Sequence, residues 1–455
     1  MRIVLAVHQF VPDYTAGTEI LTYSVAKELQ KRGHRVEVWT GFPADRHLWG
    51  EGRFDRYEFQ GVPVQRYHHS FATTAQEQNV IESEYYNRFF KGRFSDYVIR
   101  EKPGIVHFFH LGRLSASPIE ACCERGIPTV FTATDFWFMC PTSQLRLPDN
   151  SLCLGPDGSG VNCLQHVVAT TQPDRIRELV RLAPSWALRL MIRGSQQSWW
   201  PEKTYSPLVS ALAQRPVRLV NLFNRVDRIL APTALMWRFM VAHGIDEKRI
   251  RLAPYGVNFA RTRRTAPNRT RNPLRIGFIG TLGEHKGAHL LVRAFQAVPR
   301  DKGLVLRIYG RLDEFPDYGT SLKALASGDH RIEFCGTFPN RKVGEVMAGL
   351  DVLVVPSIWY ENTPLVVYSA QAAGTPVVAS NVGGLSEVIQ DGENGLLFQM
   401  GDVPGLTAAL ARLVDEKGLV RKLAKKAVKP RSVSEYVDQL EETYGEISSR
   451  NRRRR

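Results

Sequence analysis

Cysteine is scarce in this chain, and long hydrophobic runs are lacking. Six cysteines at irregular spacing in 455 residues do not form the framework of a disulfide-stabilised secreted protein, which favours a reducing compartment. No segment approaches the roughly 20 consecutive apolar residues that cross a bilayer. The first residues, MRIVLAVHQF, lack the long apolar segment of a signal peptide. We therefore expect a cytoplasmic protein, with peripheral attachment at the inner face of the membrane left open.

Acidic residues are outnumbered, with 45 Asp and Glu against 60 Lys and Arg, and the formal net charge is +15. Three segments carry the excess: residues 258–275 hold six Arg and no acid, residues 412–431 hold eight basic and two acidic residues, and residues 450–455 hold five Arg. The rest of the chain is slightly acidic. These segments are interpreted as solvated tethers or as contacts with an anionic membrane surface. Nucleic-acid binding is not expected, because the sequence has no recognition-helix motif and no aromatic platform.

The composition is that of a globular protein, with 43% hydrophobic and 23% charged residues, which excludes wholesale disorder and fibrous repeats. A chain of this length exceeds what one hydrophobic core usually organises. Apolar runs of strand length alternate with helix-length segments in both halves, a pattern typical of doubly wound parallel sheets. The predicted strands are Arg2–Val7, Arg35–Thr40, Ile105–Phe109, Thr129–Thr134, Arg228–Ala231, Ile250–Tyr255, Arg275–Ile279, Val305–Tyr309, Ile332–Cys335, Val352–Pro356, Val377–Ser380 and Gly395–Phe398.

The pattern predicts an α/β protein of two Rossmann-like domains facing an interdomain cleft, with ligands at the carboxyl ends of the strands. The first domain spans residues 1–257 and contains a cysteine-bearing insertion at about 137–215. A basic linker, residues 258–273, leads to the second domain at 274–430. Residues 431–455 are predicted to form a final helix and an Arg-rich tail that pack back toward the first domain.

The most informative segment is PSIWYENTPLVVYSAQAAGTPVVAS, residues 356–380. A buried strand is predicted to end at Ser357, and Glu361 lies in the loop that follows. Pro364 is expected at the first position of the next helix, which Pro favours. The backbone N–H groups at such a helix start suit a phosphate group. The alternative interpretation is an ordinary helix cap beside a solvated Glu361.

This segment, followed by GGLSEVIQDGENGLLF, resembles the donor-binding signature of family 4 retaining glycosyltransferases of the GT-B fold. The resemblance continues in FIGTLGEHKGAHLLVRAF, RIEFCGTFPNRKVGEVMAGLDVLVVPS, FVPDYTAGTEILTYSVAKELQKRGHRVEV, IVHFFHLGRLS and GIPTVFTATDFWFMCP. It implies transfer of a sugar from a nucleotide-diphosphate sugar to an acceptor hydroxyl with retention, in polysaccharide or glycolipid biosynthesis. The implied partners are the nucleotide sugar and a glycan or lipid-linked acceptor, and no further cofactor is required.

Matched position by position, the resemblance implies a donor site. Glu361 corresponds to the carboxylate placed against the donor sugar, and Lys286 to the cation at the diphosphate. Asp135 is a weaker candidate near the acceptor, where a structural Asp at a strand end is equally expected. The other donor-binding residues implied are Gly17, Thr281, Gly310, Arg311, Asn362, Thr363, Pro364, Leu365 and Ser369. No metal ligand is included among these residues.

Three positions depart from the family pattern. Ser369 replaces a Glu expected at ribose hydroxyls, Thr281 stands where many relatives have Arg, and Thr134 stands where relatives often have His. Serine cannot provide the bidentate contact of a carboxylate. An alternative function therefore stays open, a catalytically weakened GT-B protein that acts as a nucleotide- or glycan-binding partner subunit.

Two features of the insertion have alternative interpretations. Cys140, Cys153, Cys163 and His166 contain the ligand types of a structural zinc site, but their spacing lacks a C-x2-C pair, and buried free thiols are the favoured interpretation. The run 175–200 mixes Arg with Leu, Ile and Trp, which suits an anionic lipid surface or a helix packed on the domain. Outside the insertion, His107 and His110 are expected to line the cleft.

Overall fold

The structure, a computed structural model, describes residues 1–44, 48–69, 79–147, 149–197, 199, 205–258, 273–362 and 364–454, with the backbone alone for residues 451–454. The chain divides into two compact units. Unit 1 comprises Met1–Pro254 and Val433–Arg455, and unit 2 comprises Tyr255–Ser432. Most of the predicted linker at 258–273, together with Thr363 and Trp200, lies outside the described residues.

Unit 1 is built on a sheet that is parallel except at one edge. Its strands are β1 (Arg2–Val7), β2 (Arg35–Pro43), β3 (Phe54–Phe59), β4 (Val62–His69), β5 (Ile105–Phe108), β6 (Thr129–Thr132), β7 (Arg228–Ala231) and β8 (Ile250–Leu252). Their order is β3-β4-β2-β1-β5-β6-β7-β8, and among the described strands only β3 is antiparallel to its neighbour. The hairpin of β3 and β4 was not predicted. The predicted strand at Thr129–Thr134 ends at Thr132, which leaves Thr134 and Asp135 in the following loop.

Helices cover the sheet of unit 1 and also form the insertion. They are α1 (Gly17–Lys31), α2 (Val80–Tyr85), α3 (Arg88–Glu101), α4 (Ser117–Glu124), α5 (Val161–Thr171), α6 (Asp174–Leu182), α7 (Ser185–Ser195), α8 (Ser206–Phe223) and α9 (Ala234–Ala242). The predicted amphipathic run forms two helices, because Pro184 disfavours a helical conformation at Ala183, whose ψ is 131°. Leu188 and Ile192 of α7 share a small apolar core with Leu164 of α5 and Leu212 of α8.

Unit 2 contains a fully parallel sheet among its described strands. These are β9 (Leu274–Ile279), β10 (Leu304–Tyr309), β11 (Ile332–Gly336), β12 (Val352–Val355), β13 (Val377–Asn381) and β14 (Gly395–Gln399), in the order β11-β10-β9-β12-β13-β14. The helices are α10 (Ala288–Ala297), α11 (Pro316–Ala326), α12 (Val343–Ala348), α13 (Leu365–Ala373), α14 (Val403–Asp415) and α15 (Leu419–Lys425). Ile276, Leu306 and Val354 are fully buried in its core. The loops after β9 and β12 are adjacent because these two strands are paired.

The last helix, α16 (Val433–Arg454), belongs to unit 1. Arg32, at the end of α1, donates to Asp438 at 2.7 Å and to Glu441 at 2.6 Å. His34 Nε2 lies 2.7 Å from the other carboxylate oxygen of Glu441. Within the described ranges, no helix combines the length and hydrophobicity needed to cross a bilayer.

Beneath α16, His107 is fully buried and not positioned to line a ligand site, so that prediction was wrong. Its Nδ1 lies 2.6 Å from the hydroxyl of Tyr444 on α16, and its Nε2 lies 2.8 Å from Thr132 Oγ1. Burial lowers the pKa of His107 to about 3, so the imidazole is neutral at physiological pH. His107 therefore joins β5 and β6 to the last helix of the chain.

The Tyr444→Phe variant tests this attachment. Loss of the hydroxyl leaves a buried imidazole nitrogen without its partner, and we expect the free energy of unfolding to fall by about 1–2 kcal/mol. Urea denaturation measures the change. The control Tyr205→Phe, at an exposed position, should change the free energy by less than about 0.5 kcal/mol. Equal effects of the two substitutions would contradict a structural role for the Tyr444 hydroxyl.

Candidate functional site

A buried carboxylate, that of Glu361, organises the loop after β12 in unit 2. Its Oε1 accepts hydrogen bonds from Lys286 Nζ at 2.7 Å, from Ser357 Oγ at 2.6 Å and from Trp359 Nε1 at 2.8 Å. Ser357 and Trp359 come from the same loop as Glu361, whereas Lys286 comes from the loop after β9. The structure therefore brings together Glu361 and Lys286, the two main residues of the predicted donor site.

The charge of Glu361 is set by burial and by Lys286. Burial raises the pKa of this carboxyl, but the Lys286 ammonium and the three hydrogen bonds outweigh burial, and the pKa is lowered. Glu361 is therefore an ionised carboxylate at neutral pH. The Lys286 ammonium also lies 4.6 Å from the centroid of the Trp359 ring, a cation–π contact. His285 packs edge-on against the same ring, with 5.1 Å between the ring centroids.

A glycine allows Lys286 to reach this position. Residues Glu284–Lys286 form one 3-10 turn, which Gly287 ends with φ 71°. A Cβ atom at Gly287 would lie 1.9 Å from the carbonyl oxygen of Pro356, so a larger residue cannot occupy this position without moving the backbone. The N–H of Ile358 donates to the carbonyl of His285 at 2.9 Å, which holds the two loops together.

The start of α13 follows Glu361. Pro364 is the N-cap residue and Leu365 begins the helix, so the predicted position of Pro364 was wrong by one residue. Asn362 is buried, and its Nδ2 donates to the hydroxyl of Tyr255 at 3.2 Å. The Ser369 hydroxyl donates to the carbonyl of Leu365 at 3.0 Å and is thus bonded to its own helix.

The other predicted donor-binding residues of unit 2 follow the neighbouring strands. Gly310 directly follows β10 and is in close contact with the loop after β9, since a Cβ atom at Gly310 would lie 2.3 Å from the carbonyl oxygen of Gly280. Thr281 lies half-buried in that loop. Arg311 is exposed and pairs with Asp313 at 2.8 Å. The structure does not bring Arg311 into contact with the carboxylate of Glu361.

A second polar cluster lies at the carboxyl ends of three adjacent strands of unit 1. His110 follows β5 and Asp135 follows β6, with 2.5 Å between His110 Nε2 and Asp135 Oδ2. The N–H of Gly112 donates to His110 Nδ1 at 3.0 Å, so the proton of a neutral imidazole is on Nε2 and is donated to Asp135. Asp135 also accepts a hydrogen bond from the N–H of Trp137 at 2.9 Å.

His8 follows β1 and continues the cluster. Its ring centroid lies 3.9 Å from that of His110, and its Nε2 lies 3.4 Å from Glu19 Oε1. Glu19 is in the first turn of α1 and is only 1% exposed. Burial lowers the pKa of His8 well below its usual value and raises the pKa of Glu19, so both side chains tend toward their neutral forms. Within the described part of the chain, His8 Nδ1 has no hydrogen-bond partner.

Two sequence predictions concern the same part of unit 1. Gly17, predicted as a donor-binding residue, is the first residue of α1. Thr134, which replaces a family His, donates from Oγ1 to the carbonyl of Phe109 at 2.9 Å. His110 is thus the imidazole that contacts Asp135 in this chain.

The cysteine-bearing part of the insertion contains free thiols. Cys140 and Cys163 are buried and Cys153 is half-buried. Burial, followed by the neighbouring Cys140 and Cys153, raises the pKa of Cys163 to about 12. In the part of the chain that the structure describes, no group of three or more His, Cys, Asp or Glu side chains is arranged around a metal site.

Several polar residues at strand ends were not predicted from the sequence. Ser357 and Trp359 precede Glu361 in the same loop, while His8 and Glu19 lie near Gly17 in sequence. The positions of these residues in the sequence could have indicated a site, because polar side chains that directly follow buried parallel strands meet at one edge of the sheet. Which of them form contacts depends on loop conformation, which strand periodicity does not predict.

Comparison with known proteins identifies the family. A family model described as glycosyl transferase 4-like domain matches residues 16–256, more than half of the chain, and one described as glycosyl transferases group 1 matches residues 273–416. The chain belongs to the glycosyltransferase 4-like family. The two models fall mainly on unit 1 and unit 2, respectively.

Relatives of this family match over part of the chain. A protein named D-inositol 3-phosphate glycosyltransferase from Nocardia farcinica is 32% identical over 223 residues, which are 46% of this chain and 49% of that protein. A protein of the same name from Rhodococcus jostii is 30% identical over 234 residues, 47% and 51% of the respective chains. The chain thus matches about half the length of these curated relatives.

Solved structures match over the full length at low identity. Anabaena HepE in complex with UDP and glucose has a TM-score of 0.61 at 16% identity, covering 97% of this chain and 99% of that one. Sucrose-phosphate synthase from Thermosynechococcus elongatus has a TM-score of 0.63 at 16% identity, covering 98% and 99%. Both comparisons confirm the predicted GT-B fold of the glycosyltransferase 4-like protein.

The acid dependence of stability tests the charge state of Glu361. Because its folded pKa is below the unfolded value of about 4.5, its ionic contribution is complete above that pH and is lost as the pH falls through the lower folded pKa. We expect Glu361→Gln to be less stable at pH 7 by roughly 1–3 kcal/mol, with the difference shrinking below pH 4.5. Urea denaturation across this range measures it. A difference in unfolding free energy that does not change with pH would contradict an ionised Glu361. The control is Glu333→Gln, which replaces an exposed carboxylate.

Proposed function

We propose that this family member transfers a sugar from a nucleotide-diphosphate sugar to an acceptor hydroxyl with retention at the anomeric carbon. The observation that carries the proposal is the buried, ionised Glu361 held by Lys286 at the carboxyl ends of β9 and β12. This arrangement is in the unit matched by the group 1 glycosyl transferase model. The family relatives, named as glycosyltransferases, support the same reaction class, whereas the matches do not favour a binding-only partner subunit.

In this proposal, the donor contacts come from unit 2. Glu361 accepts hydrogen bonds from hydroxyl groups of the donor sugar, since an ionised carboxylate is a strong acceptor. Lys286 and the backbone N–H groups at the start of α13, with Asn362 and Leu365 nearby, stabilise the negative charge that develops on the leaving diphosphate. Gly310 allows the base or ribose to approach the backbone. The Ser369 hydroxyl, bonded to its helix, makes at most a weak ribose contact.

The acceptor contacts are assigned to unit 1. Asp135, oriented by His110, is proposed to hold the acceptor hydroxyl. Gly17, which the family resemblance implies as a donor-binding residue, begins α1 and leaves the backbone N–H groups accessible to a phosphate group. The nucleotide sugar is the co-substrate, and no further cofactor is proposed because the cationic and dipolar groups above act on the diphosphate. UDP is the first nucleotide to test, since HepE was solved with UDP and glucose. We place the reaction in polysaccharide or glycolipid synthesis.

We also propose that α6 and α7 contact an anionic membrane surface. Four large apolar side chains of these helices are more than half exposed: Leu179, Leu182, Trp186 and Leu190. Within the described residues, three exposed arginines beside them form no ion pair: Arg175, Arg189 and Arg193. Exposed apolar groups interspersed with Arg suit the interface of an anionic bilayer. Such attachment would place the enzyme at the inner face of the membrane and near lipid-linked acceptors.

The donor site is tested by assaying transfer and hydrolysis with UDP-, GDP- and ADP-sugars. Glu361→Gln and Lys286→Ala each remove the charge of one member of the Glu361–Lys286 pair. Each substitution should reduce turnover by about a hundredfold or more. The surface controls Glu333→Gln and Lys323→Ala should retain turnover. Normal activity in both site variants would refute the assignment, and an inverted product anomer in NMR would refute retention.

The membrane surface is tested by co-sedimentation with phosphatidylcholine vesicles that contain or lack phosphatidylglycerol. We expect binding to the anionic vesicles to fall about tenfold in Trp186→Ser/Leu190→Ser, because apolar contact area is lost. Arg189→Gln/Arg193→Gln should remove most of the preference for anionic vesicles. The controls are Leu154→Ser, also exposed, and Arg421→Gln/Lys425→Gln, which changes the net charge equally. Equal loss in the controls would refute a specific surface.

A further inference from the structure

Unit 1 contains a cavity of about 140 Å³ between β4, α2 and the insertion helices. This volume is close to that of cavities that bind a benzene-sized molecule, about 150 Å³. Part of the lining is apolar, with Ile81, Val167 and Leu212. The lining also includes the polar residues Arg53, His69 and Arg113. The cavity therefore has the composition of a small-ligand site, in which apolar side chains are combined with a few polar groups.

Arg113 is the most informative polar residue of this lining. Its Nη1 is buried without a hydrogen-bond partner. Its backbone has φ 66°, a left-handed conformation that is unfavourable for a non-glycine residue. The side chain fits because residue 41 is glycine, where a Cβ atom would lie 2.7 Å from the Cβ of Arg113. The Arg113 guanidinium lies over the Tyr14 ring, with 5.1 Å between Cζ and the ring centroid, and its Nη1 has no hydrogen-bond acceptor among the described residues. Arg113 is half-buried and is part of the cavity lining.

Charge around the cavity favours an anion. Glu84 is the acidic residue of the described lining, and its carboxylate is already satisfied. It accepts a hydrogen bond from Trp137 Nε1 and pairs with the fully buried Arg215, whose Nε lies 3.2 Å away. Burial raises the pKa of Glu19, the carboxyl group near Arg113, and so weakens it as a counter-ion. The cationic groups Arg53 and Arg113 therefore leave the lining with a net positive charge.

We infer that this cavity binds a phosphate or carboxylate group of the acceptor, with Arg113 as the main contact. Guanidinium groups form strong, charge-assisted hydrogen bonds to both kinds of oxyanion. The apolar part of the lining would pack against the carbon skeleton next to the anion. This inference rests on the proposed transfer reaction, since it takes the ligand of the cavity to be the acceptor. It adds that the acceptor is negatively charged.

Calorimetric titration of three sugars with one ring but different groups at C6 tests the site. The probes are glucose, glucose 6-phosphate and glucuronate, each in an excess of the nucleotide diphosphate that the donor assay selects. At least one anionic probe should bind ten times more tightly than glucose, and the stronger one identifies phosphate or carboxylate. Arg113→Gln should reduce the preference to less than about twofold. Arg35→Gln, at an exposed strand residue of the same unit, should leave it unchanged.

A second variant covers the case in which Arg113→Gln does not fold. Val80→Trp places a large side chain at the partly exposed lining residue Val80 and leaves Arg113 intact, so it should weaken the anionic probe about tenfold. Its control is Ile99→Trp on α3, also exposed. Equal binding of glucose and both anionic sugars to the unsubstituted protein would overturn the inference. It would also be overturned if Lys286→Ala lost the preference for the anionic sugar while Arg113→Gln kept it.

These outcomes also separate the two proposals. Normal turnover with nucleotide sugars but no preference for an anion would refute the charged acceptor alone. Arg113-dependent binding of the anion without turnover of any nucleotide sugar would support the cavity as an anion site and refute the proposed transfer reaction.

Discussion

Burial of one carboxylate constrains the whole candidate site of unit 2. Removing an ionised carboxylate from water costs several kcal/mol unless its oxygens receive strong hydrogen bonds. For Glu361 these come from a lysine, a serine and an indole on two loops, all directed at one oxygen atom. The positions of those groups are therefore not independent. The tight packing of Gly287 against Pro356 follows from the same constraint, since it sets how close the Lys286 turn can approach.

The polar groups of the two units differ in how completely they are satisfied. In unit 2, Glu361 is paired and hydrogen-bonded without a ligand. In unit 1, His8 Nδ1 and Arg113 Nη1 are buried with no hydrogen-bond partner among the described residues, a state that costs free energy. A site with unpaired donors and acceptors gains more from a ligand that provides the missing bonds.

The sequence predicted the fold well because parallel strands buried on both faces leave continuous apolar runs. The strand β1 was predicted with its ends correct, and Thr129–Thr134 was too long by two residues because Ala133 and Thr134 remain apolar or β-branched beyond the last strand pair. The hairpin of β3 and β4 was missed, since its residues alternate weakly and lie at a sheet edge. Glu361 and Lys286 came from the family resemblance. Their contact, and the part played by Trp359, could not be predicted, because a hydrogen bond between two loops leaves no periodic signal.

The return of α16 to unit 1 has a consequence for synthesis of the chain. Unit 2 is continuous in sequence, whereas unit 1 is completed only by residues after Ser432. During translation, all of unit 2 is therefore synthesised before the residues of α16 that contact Arg32, His34 and His107. During that interval the apolar side chains that later contact Tyr436 and Leu440 of α16 are uncovered. The apolar contacts between unit 1 and α16 can therefore form only after residues 433–454 have been synthesised.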